Sequence, residues 1–331
     1  MKISYIMKKF LIITVASHKI GFGHRNRAII LKKNLSKKKI YTKILLFDEK
    51  NYNKKILRLK SLNIDAFSNI ILDICHPFVF KNFIANKIFK IIKDHHKITI
   101  IDDLSKSSLI KKKFPAKFVI FPYFFKKNII KIYKNNYKLL FGPKYFITYK
   151  FTNLKFPKNK IKNILLTCGG SDNEQFSLFF INVFKKMKNF SSLNFKILLG
   201  PYFKKNLKKK ISFLIKRNKN IQLVKYQKSI NAIVDKSDFV ITSSGLTKYE
   251  LAIKRVNYCV FSANHNHFKL NSEFKKKKLS FDLGVPNKTS EISEKLFKFI
   301  KDIKRQKQHF KNMKKSIGLN GFQNIFDEIS H

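Results

Sequence analysis

Apolar and polar residues alternate in blocks along this chain, with two different periods. Short apolar runs rich in β-branched residues predict buried strands, whereas apolar positions three or four residues apart predict helices. In the first half, strands are predicted at Phe10–Ala16, Tyr41–Phe47, Asn69–Asp73 and Lys97–Ile101. Helices are predicted after the first strand, where Ala28, Leu31 and Leu35 share one face, and from about residue 81 to 93. This alternation of strands and helices predicts a parallel, doubly wound sheet.

The same alternation starts again after a break. Residues 146–160 have no clear period, and we interpret them as a linker between a domain at 1–145 and a domain at 161–331. In the second half, strands are predicted at Asn163–Cys168, Asn194–Leu199, Ile221–Val224, Asp238–Thr242 and Tyr258–Phe261. A last helix should bury Ile292, Leu296, Phe299 and Ile303. The predicted fold class is α/β, with two Rossmann-like domains whose strand carboxyl ends face a cleft.

The charge of the chain is extreme, but its distribution is uniform. The 331 residues include 71 Lys+Arg and 19 Asp+Glu, for a net charge of +52, and 44% are apolar. That apolar content excludes a disordered polycation. Lysine is abundant together with Ile, Asn and Phe, which all have A/T-rich codons, so base composition explains it better than a nucleic-acid site. We therefore expect no specific nucleic-acid partner, and only weak peripheral attraction to anionic membranes.

The sequence contains only weak signals for a cellular compartment. No apolar run reaches the roughly 18 residues of a membrane-spanning helix. Lys8 and Lys9 before the first apolar run imitate a signal peptide, but the chain continues directly into a Gly-rich turn, so a cytoplasmic location is expected. The three cysteines, Cys75, Cys168 and Cys259, are an odd number and read as thiols in a reducing compartment.

The glycines point to a ligand. The chain has ten, and five lie in three clusters that each follow a predicted strand and open a predicted helix. The clusters contain Gly21 and Gly23; Gly169 and Gly170 with Ser171; and Gly245 with Ser244, Leu246 and Thr247. Glycine allows close approach of the backbone, and a helix N-terminus offers N–H groups to an anion. A nucleotide-type ligand is predicted, although a P-loop ending and a full GxGxxG are absent from the sequence.

Three charged or titratable side chains are further candidates for the site. His24 follows two glycines at a helix start, where the dipole favours the neutral ring that a general base needs. Glu250 fits a capping box with Thr247, or a carboxylate that accepts both ribose hydroxyls. Asp102 ends a strand and either orients a histidine or sugar hydroxyl, or caps a turn. Asp73, with Cys75 and His76 close behind it, is interpreted as structural, and no set of metal ligands is predicted.

These residues also match a known family. The stretch Ser17–Arg27 resembles the IGxGHxxR motif of the UDP-2,4-diacetamido-2,4,6-trideoxy-altropyranose hydrolases of pseudaminic acid synthesis. The resemblance continues in order through the motifs Ile101–Asp103, Gly142–Tyr145, Gly169–Asp172 and Ser244–Glu250. That family is similar to the peptidoglycan glycosyltransferase that adds N-acetylglucosamine to a lipid-linked precursor.

The resemblance implies a GT-B arrangement in which the C-terminal domain holds UDP and the N-terminal domain faces the sugar. His24 would activate a water molecule for inverting attack, Glu250 would hold the ribose, and neither a metal nor a cofactor is implied. Further contacts to the substrate are implied for Arg27, Asp102, Tyr145 and Asn266. Ile13 and Val15 stand where the family has an Arg-x-Asp. This departure leaves a glycosyltransferase, with an acceptor in place of water, as the alternative function.

Overall fold

The fold is described from a computed structural model of the chain. The described residues are 8–17, 22–103, 107–124, 133, 136–149, 154, 160–226, 230–263 and 265–330, without the side chains of 265–267, 269 and 270. Contacts divide the chain into two compact units, the first comprising 1–149 and 318–331 and the second 150–317. Each unit has its own parallel sheet and its own core.

Six parallel strands form the sheet of the first unit. They are β1 (Lys9–Val15), β2 (Tyr41–Phe47), β3 (Asn69–Asp73), β4 (Ile98–Ile101), β5 (Phe118–Phe121) and β6 (Lys138–Phe141). Their order is β2-β1-β3-β4-β5-β6, so the winding reverses between β1 and β3. At such a switch point the carboxyl ends of the strands leave a crevice in which ligands bind.

Helices cover both faces of this sheet. They are α1 (Gly23–Lys37), α2 (Tyr52–Lys60), α3 (Pro77–Lys81) and α4 (Ile84–Ile92). The predicted face of α1, with Ala28, Leu31 and Leu35, packs with Phe10 and Ile12 of β1 in one core cluster. This packing fixes the start of α1 at the carboxyl end of β1.

The second unit repeats this plan with a different strand order. Its strands are β7 (Asn163–Thr167), β8 (Asn194–Leu199), β9 (Ile221–Lys225), β10 (Phe239–Ser243), β11 (Tyr258–Phe261) and β12 (Phe281–Asp282). The order β12-β11-β10-β7-β8-β9 places the switch point between β7 and β10. The loops that follow these two strands carry the second and third glycine clusters.

Seven helices are described in the second unit. They are α5 (Phe176–Lys185), α6 (Lys205–Ile215), α7 (Asn231–Asp235), α8 (Thr247–Lys254), α9 (His265–Lys276), α10 (Thr289–Lys301) and α11 (Ile303–Ser316). The core is rich in phenylalanine; for example, the rings of Phe184 and Phe195 stack with centroids 4.2 Å apart. Stacked rings bury a large apolar area in a defined geometry, which fixes α5 against β8.

The last helix corrects the predicted domain boundary. Helix α12 (Gly321–Ile329) was assigned with 161–331 to the second domain, but its Ile325 and Ile329 belong to a core cluster of the first unit. A side chain at Gly321 would overlap the carbonyl group of Phe146, so the helix start lies directly on the backbone. The apolar period of a helix predicts that it has a buried face but does not tell which sheet covers it.

Other sequence predictions need smaller corrections. Strands β5 and β6 were not predicted from the apolar pattern. Ile303 belongs to α11 and not to the helix before it, since the Asp302 carboxylate accepts the Arg305 N–H (2.9 Å) and starts a new helix. The predicted linker 146–160 lies mostly outside the described residues.

Two features expected from the composition are seen. The three cysteines are free thiols, with Cys75 and Cys259 buried and Cys168 partly buried. None of the described helices has both the length and the apolar character needed to cross a membrane.

Candidate functional site

A histidine and an aspartate meet at the switch point of the first unit. His24 lies in the first turn of α1, directly after the loop that follows β1. Asp73 is the last residue of β3, in register with Thr14 of β1. The His24 Nδ1 and the Asp73 Oδ1 are 2.7 Å apart. Sequence analysis interpreted Asp73 as structural; the structure instead makes it the carboxylate that orients the candidate base.

The hydrogen bond to Asp73 fixes which nitrogen of His24 is basic. An ionised carboxylate only accepts hydrogen bonds. The Nδ1 of His24 therefore carries the hydrogen and donates a hydrogen bond to Asp73. The lone pair of the neutral ring then lies on Nε2. The side chain of His24 is 18% exposed and that of Asp73 is fully buried. The ring therefore contacts a core carboxylate on one side and is exposed on the other. This is the arrangement that a general base requires.

Arg27 holds the aspartate in place. One turn after His24, its Nε donates to Asp73 Oδ2 (2.7 Å) and its Nη2 donates to Asp73 Oδ1 (2.5 Å). Its Nη1 donates to the Tyr123 hydroxyl (2.5 Å). Burial alone would raise the pKa of Asp73, but Arg27 and His24 outweigh burial and lower it to about 2. Arg27 was predicted to contact the substrate; it is buried and instead supports the His24–Asp73 pair.

The same edge of the sheet concentrates acidic residues. Of the 19 acidic residues in the chain, Asp48 and Glu49 follow β2, Asp73 ends β3, and Asp102 and Asp103 follow β4. Asp73 and Asp102 are buried and already bonded within the protein, so the part-exposed carboxylates at this edge are those of Asp48, Glu49 and Asp103. Carboxylates accept hydrogen bonds from sugar hydroxyls and repel phosphates, so this edge suits a sugar better than a nucleotide.

His76 is a second histidine at this edge. It follows β3 and caps the short helix α3, where its Nδ1 accepts the N–H of Phe78 (3.2 Å). The neutral ring therefore carries its proton on Nε2 and presents a donor, the opposite polarity to His24. Burial lowers the pKa of His76, and the nearby His24 lowers it further. A base and a hydrogen-bond donor thus follow neighbouring strands.

Asp102 has a structural task. Its Oδ2 accepts the N–H groups of Leu109 (2.9 Å) and Ile110 (3.3 Å), and the Cys75 Sγ lies 3.4 Å away. Burial raises the pKa of the Cys75 thiol well above its usual range, so the thiol donates to this carboxylate. Cys75, Asp102 and Asp103 are the one group of potential metal ligands found among the described residues. Hydrogen bonding explains their proximity, and the role of orienting His24, considered for Asp102, belongs to Asp73.

The other predicted contacts of the first unit are Tyr145, Gly21 and Gly23. Tyr145 is buried in the core with Phe10 and Ile12, so its ring packs instead of contacting a sugar. Gly21 lies outside the described residues, whereas Gly23 is the first residue of α1.

The second glycine cluster forms a loop after β7. Gly169 has a φ of +80°, which favours glycine, and Gly170 has open space around its Cα; Ser171 follows, partly exposed. Asp172 then accepts the N–H groups of Phe176 (2.8 Å) and Ser177 (3.0 Å), which are the first two residues of α5. Because Asp172 occupies these donors, the N-terminus of α5 is a poor site for a second anion.

Gly200 holds this loop, although sequence analysis did not single it out. A Cβ atom at position 200, after β8, would overlap the carbonyl oxygens of both Gly169 and Gly170. The N–H of Tyr202 donates to the Gly170 carbonyl (2.9 Å), which ties the two loops together. Gly200 lies 30 residues from the cluster, so only the pairing of β7 with β8 reveals the contact.

The motif resemblance implies that this loop binds UDP, so Gly200→Ala is expected to weaken UDP binding at least about tenfold and to lower the free energy of unfolding by about 1–3 kcal/mol. The added methyl group pushes the Gly169–Gly170 loop out of place. Gly318→Ala is the matched control, since a methyl group there meets Lys144 at an ordinary 3.6 Å. Calorimetric titration with UDP and thermal unfolding measure both effects. Equal UDP affinity in the two variants would contradict the assignment of this loop.

The third glycine cluster leads into α8. The Ser244 hydroxyl donates to the Phe261 carbonyl (3.0 Å) and accepts a hydrogen bond from Asn271 Nδ2 (2.7 Å), so it anchors the loop from behind. Gly245 is exposed, with open space at its Cα, and Leu246 and Thr247 are partly exposed. The N-cap of α8 is Leu246, whose apolar side chain caps no N–H group. Its first N–H groups therefore offer a better anion site than those of α5.

Glu250 lies in the first turn of α8, and the capping-box alternative for it is wrong. The N-cap is Leu246, Thr247 is already helical, and no capping hydrogen bond from a described side chain is present. Burial raises the pKa of Glu250 to about 7. A carboxylate in such a position gains from hydroxyl donors brought by a ligand. The other predicted contact, Asn266, is in α9, but its side chain lies outside the described part.

The comparisons place this architecture among known folds. No protein-family model and no curated protein matches the sequence. Acinetobacter baumannii MurG matches with a TM-score of 0.66 and 13% identity, over 98% of this chain and 99% of that one. The S. aureus MnaA–UDP co-structure matches with a TM-score of 0.68 and 13% identity, over 98% and 96%. The fold is of the GT-B type.

A third GT-B neighbour was solved with ligands. Anabaena Alr3699/HepE, in complex with UDP and glucose, matches with a TM-score of 0.65 and 10% identity, over 98% of this chain and 99% of that one. At such low identity the likeness establishes the fold and leaves the activity to the side chains described above.

Proposed function

We propose that this protein hydrolyses a UDP-linked deoxy-diacetamido sugar at the anomeric C1–O bond with inversion, releasing UDP and the free sugar. The observation that carries the proposal is the His24–Asp73 pair, in which a buried carboxylate leaves the Nε2 of His24 basic. The motif resemblance of Ser17–Arg27 to the altropyranose hydrolases supports the choice of sugar. Release of UDP from this nucleotide sugar in the absence of any acceptor tests the proposal.

In the proposed reaction, His24 Nε2 takes a proton from a water molecule as its oxygen attacks the anomeric carbon. The C1–O bond to the diphosphate breaks, and UDP leaves with the bonding electron pair. Attack opposite the leaving group inverts the anomeric configuration. Asp73 stabilises the imidazolium that forms, and Arg27 keeps Asp73 ionised and in position.

Each unit, taken by itself, suits a different part of a nucleotide sugar. In the second unit, the glycine loops and the uncapped start of α8 suit a diphosphate, and Glu250 suits the ribose hydroxyls. In the first unit, the acidic strand ends suit the hydroxyl and amide groups of a sugar. The neighbours solved with UDP support a nucleotide-sugar ligand for this fold.

The altered first strand does not remove support for the base. The hydrolase motif places an Asp at the position of Val15, but Ile13 and Val15 are both fully buried here. Asp73, at the end of the adjacent strand, bonds to His24 instead. The departure from the motif therefore leaves the general base intact.

Glu250→Gln is expected to weaken UDP binding about tenfold, because an amide replaces one hydroxyl acceptor by a donor. The folded-state pKa of about 7 exceeds that of an unfolded Glu, so the wild type loses stability as pH rises from about 4.5 to 7. Glu250→Gln should therefore unfold at a higher temperature than wild type at about pH 8, and at a similar one near pH 4.5. Thermal scans at both pH values, with UDP titrations, check this. A variant with lower stability at both pH values and full affinity would refute the ribose role.

Transfer to an acceptor hydroxyl is the second candidate function. The Nε2 of His24 can deprotonate an alcohol as well as water, and neighbours of this fold include glycosyltransferases. UDP release that requires a surface-glycan or lipid-linked acceptor would favour this function over hydrolysis.

A further inference from the structure

A lysine is buried beneath the third glycine loop. Lys248, the second residue of α8, is 3% exposed. Its Nζ lies 4.8 Å from the ring centre of Phe274 and 5.7 Å from that of Tyr249. A methionine would fill the same space against these rings without the cost of removing an ammonium group from water. Packing therefore does not explain a lysine at this position.

A chain of hydrogen bonds joins this ammonium group to the loop. Lys248 Nζ donates to Asn271 Oδ1 (2.9 Å). The amide of Asn271 uses both of its N–H groups, donating to Ser244 Oγ (2.7 Å) and Ser262 Oγ (2.9 Å). Because both N–H groups of Asn271 are used, the orientation of its amide is fixed. The amide oxygen therefore faces the ammonium group of Lys248. The positive charge thus lies two hydrogen bonds behind Ser244, on the side of the loop away from solvent.

We propose that Lys248 is a positioning residue that supplies positive charge to the loop 243–246 for binding the diphosphate of UDP, without contacting the ligand itself. This inference rests on the proposed function, because it names the group that the loop binds. A charge in the interior is poorly screened, so it acts across the loop more strongly than the many surface lysines do. The start of α8 adds its dipole in the same direction.

The state of the lysine is consistent with this task. Burial lowers the pKa of Lys248 to about 7, and Asp282 opposes that shift. A bound diphosphate, close to the loop, favours the charged form.

Lys248→Met tests the proposal through a ratio of two affinities. Titrations with UDP and with uridine, which lacks phosphates, are compared in each variant just below neutral pH. Lys248→Met should weaken UDP binding about tenfold and leave uridine binding unchanged, since the charge acts on the diphosphate alone. Lys248→Arg, which keeps the charge, should retain more of the UDP affinity than Lys248→Met does.

The matched control is the other buried lysine of the same helix. Lys254 pairs with Asp235 (2.7 Å) in the last turn of α8, far along the helix from the loop. Lys254→Met should lower the melting temperature and leave the UDP-to-uridine ratio as in wild type. An unchanged ratio in Lys248→Met, or an equal change in Lys254→Met, overturns the proposal while the proposed function stands. Wild-type protein that binds uridine as tightly as UDP would overturn both.

Discussion

Replacing His24 by alanine is expected to slow hydrolysis of the UDP-sugar about 10³-fold and to leave UDP affinity unchanged. Without the imidazole, the base proposed to take the proton from water is gone. The residues proposed to contact the diphosphate and ribose lie in the second unit, so they remain. Stability should change little, because the ring is part-exposed. Initial rates of UDP release and UDP titrations on the same preparation measure both quantities.

His96→Ala is the matched control for this variant. His96 is an exposed histidine of the first unit, stacked on His95 at 4.7 Å and remote from α1 in sequence. It should keep the wild-type rate. Turnover that survives in His24→Ala, or falls equally in His96→Ala, would remove His24 from the mechanism.

Asp73→Asn should have two large effects at once. The rate should fall about 100-fold or more, because an asparagine does not hold the proton on His24 Nδ1 as a carboxylate does. The free energy of unfolding should fall by about 3–5 kcal/mol, because the buried guanidinium of Arg27 loses its charge partner. In wild type, the lowered pKa of Asp73 implies that this stabilisation is present above about pH 4 and is lost as pH falls through about 2.

A second substitution separates the two effects of Asp73. In the double variant Asp73→Asn with Arg27→Met, the unpaired buried charge is gone, so much of the stability should return while the rate stays low. Asp94→Asn, at an exposed acid of the same unit, should change neither quantity. If the double variant recovered activity together with stability, Asp73 would have a structural role and no part in orienting His24. Denaturant unfolding and rate measurements decide this.

Patterns within short stretches of sequence predicted individual strands and the glycine loops that follow them. The apolar runs located β1 to β3, and glycines in a glycine-poor chain located the loops at both switch points. His24 was found because it follows such a loop. These features depend on residues within one strand, one turn and one helix, so a single stretch of sequence contains the information.

Features that depend on strand order were missed. Asp73 lies 49 positions from His24 and reaches it only because β3 pairs with β1. The contact of Gly200 with the Gly169–Gly170 loop also joins residues that are distant in the sequence. So does the packing of α12, which returns to the first unit. Asp102 ends a strand as Asp73 does, and no local signal distinguishes the carboxylate that orients the base from the one that holds a loop.

The proposed reaction is cleavage of a UDP-sugar by water, with His24 as the base. One NMR time course tests it: the purified protein with UDP-2,4-diacetamido-2,4,6-trideoxy-altropyranose, without acceptor or added metal, beside His24→Ala. We expect UDP and free sugar in equal amounts, with the anomer first formed inverted, and only in the wild-type sample. An intact nucleotide sugar in the wild-type sample, at a protein concentration where UDP is bound, would contradict it.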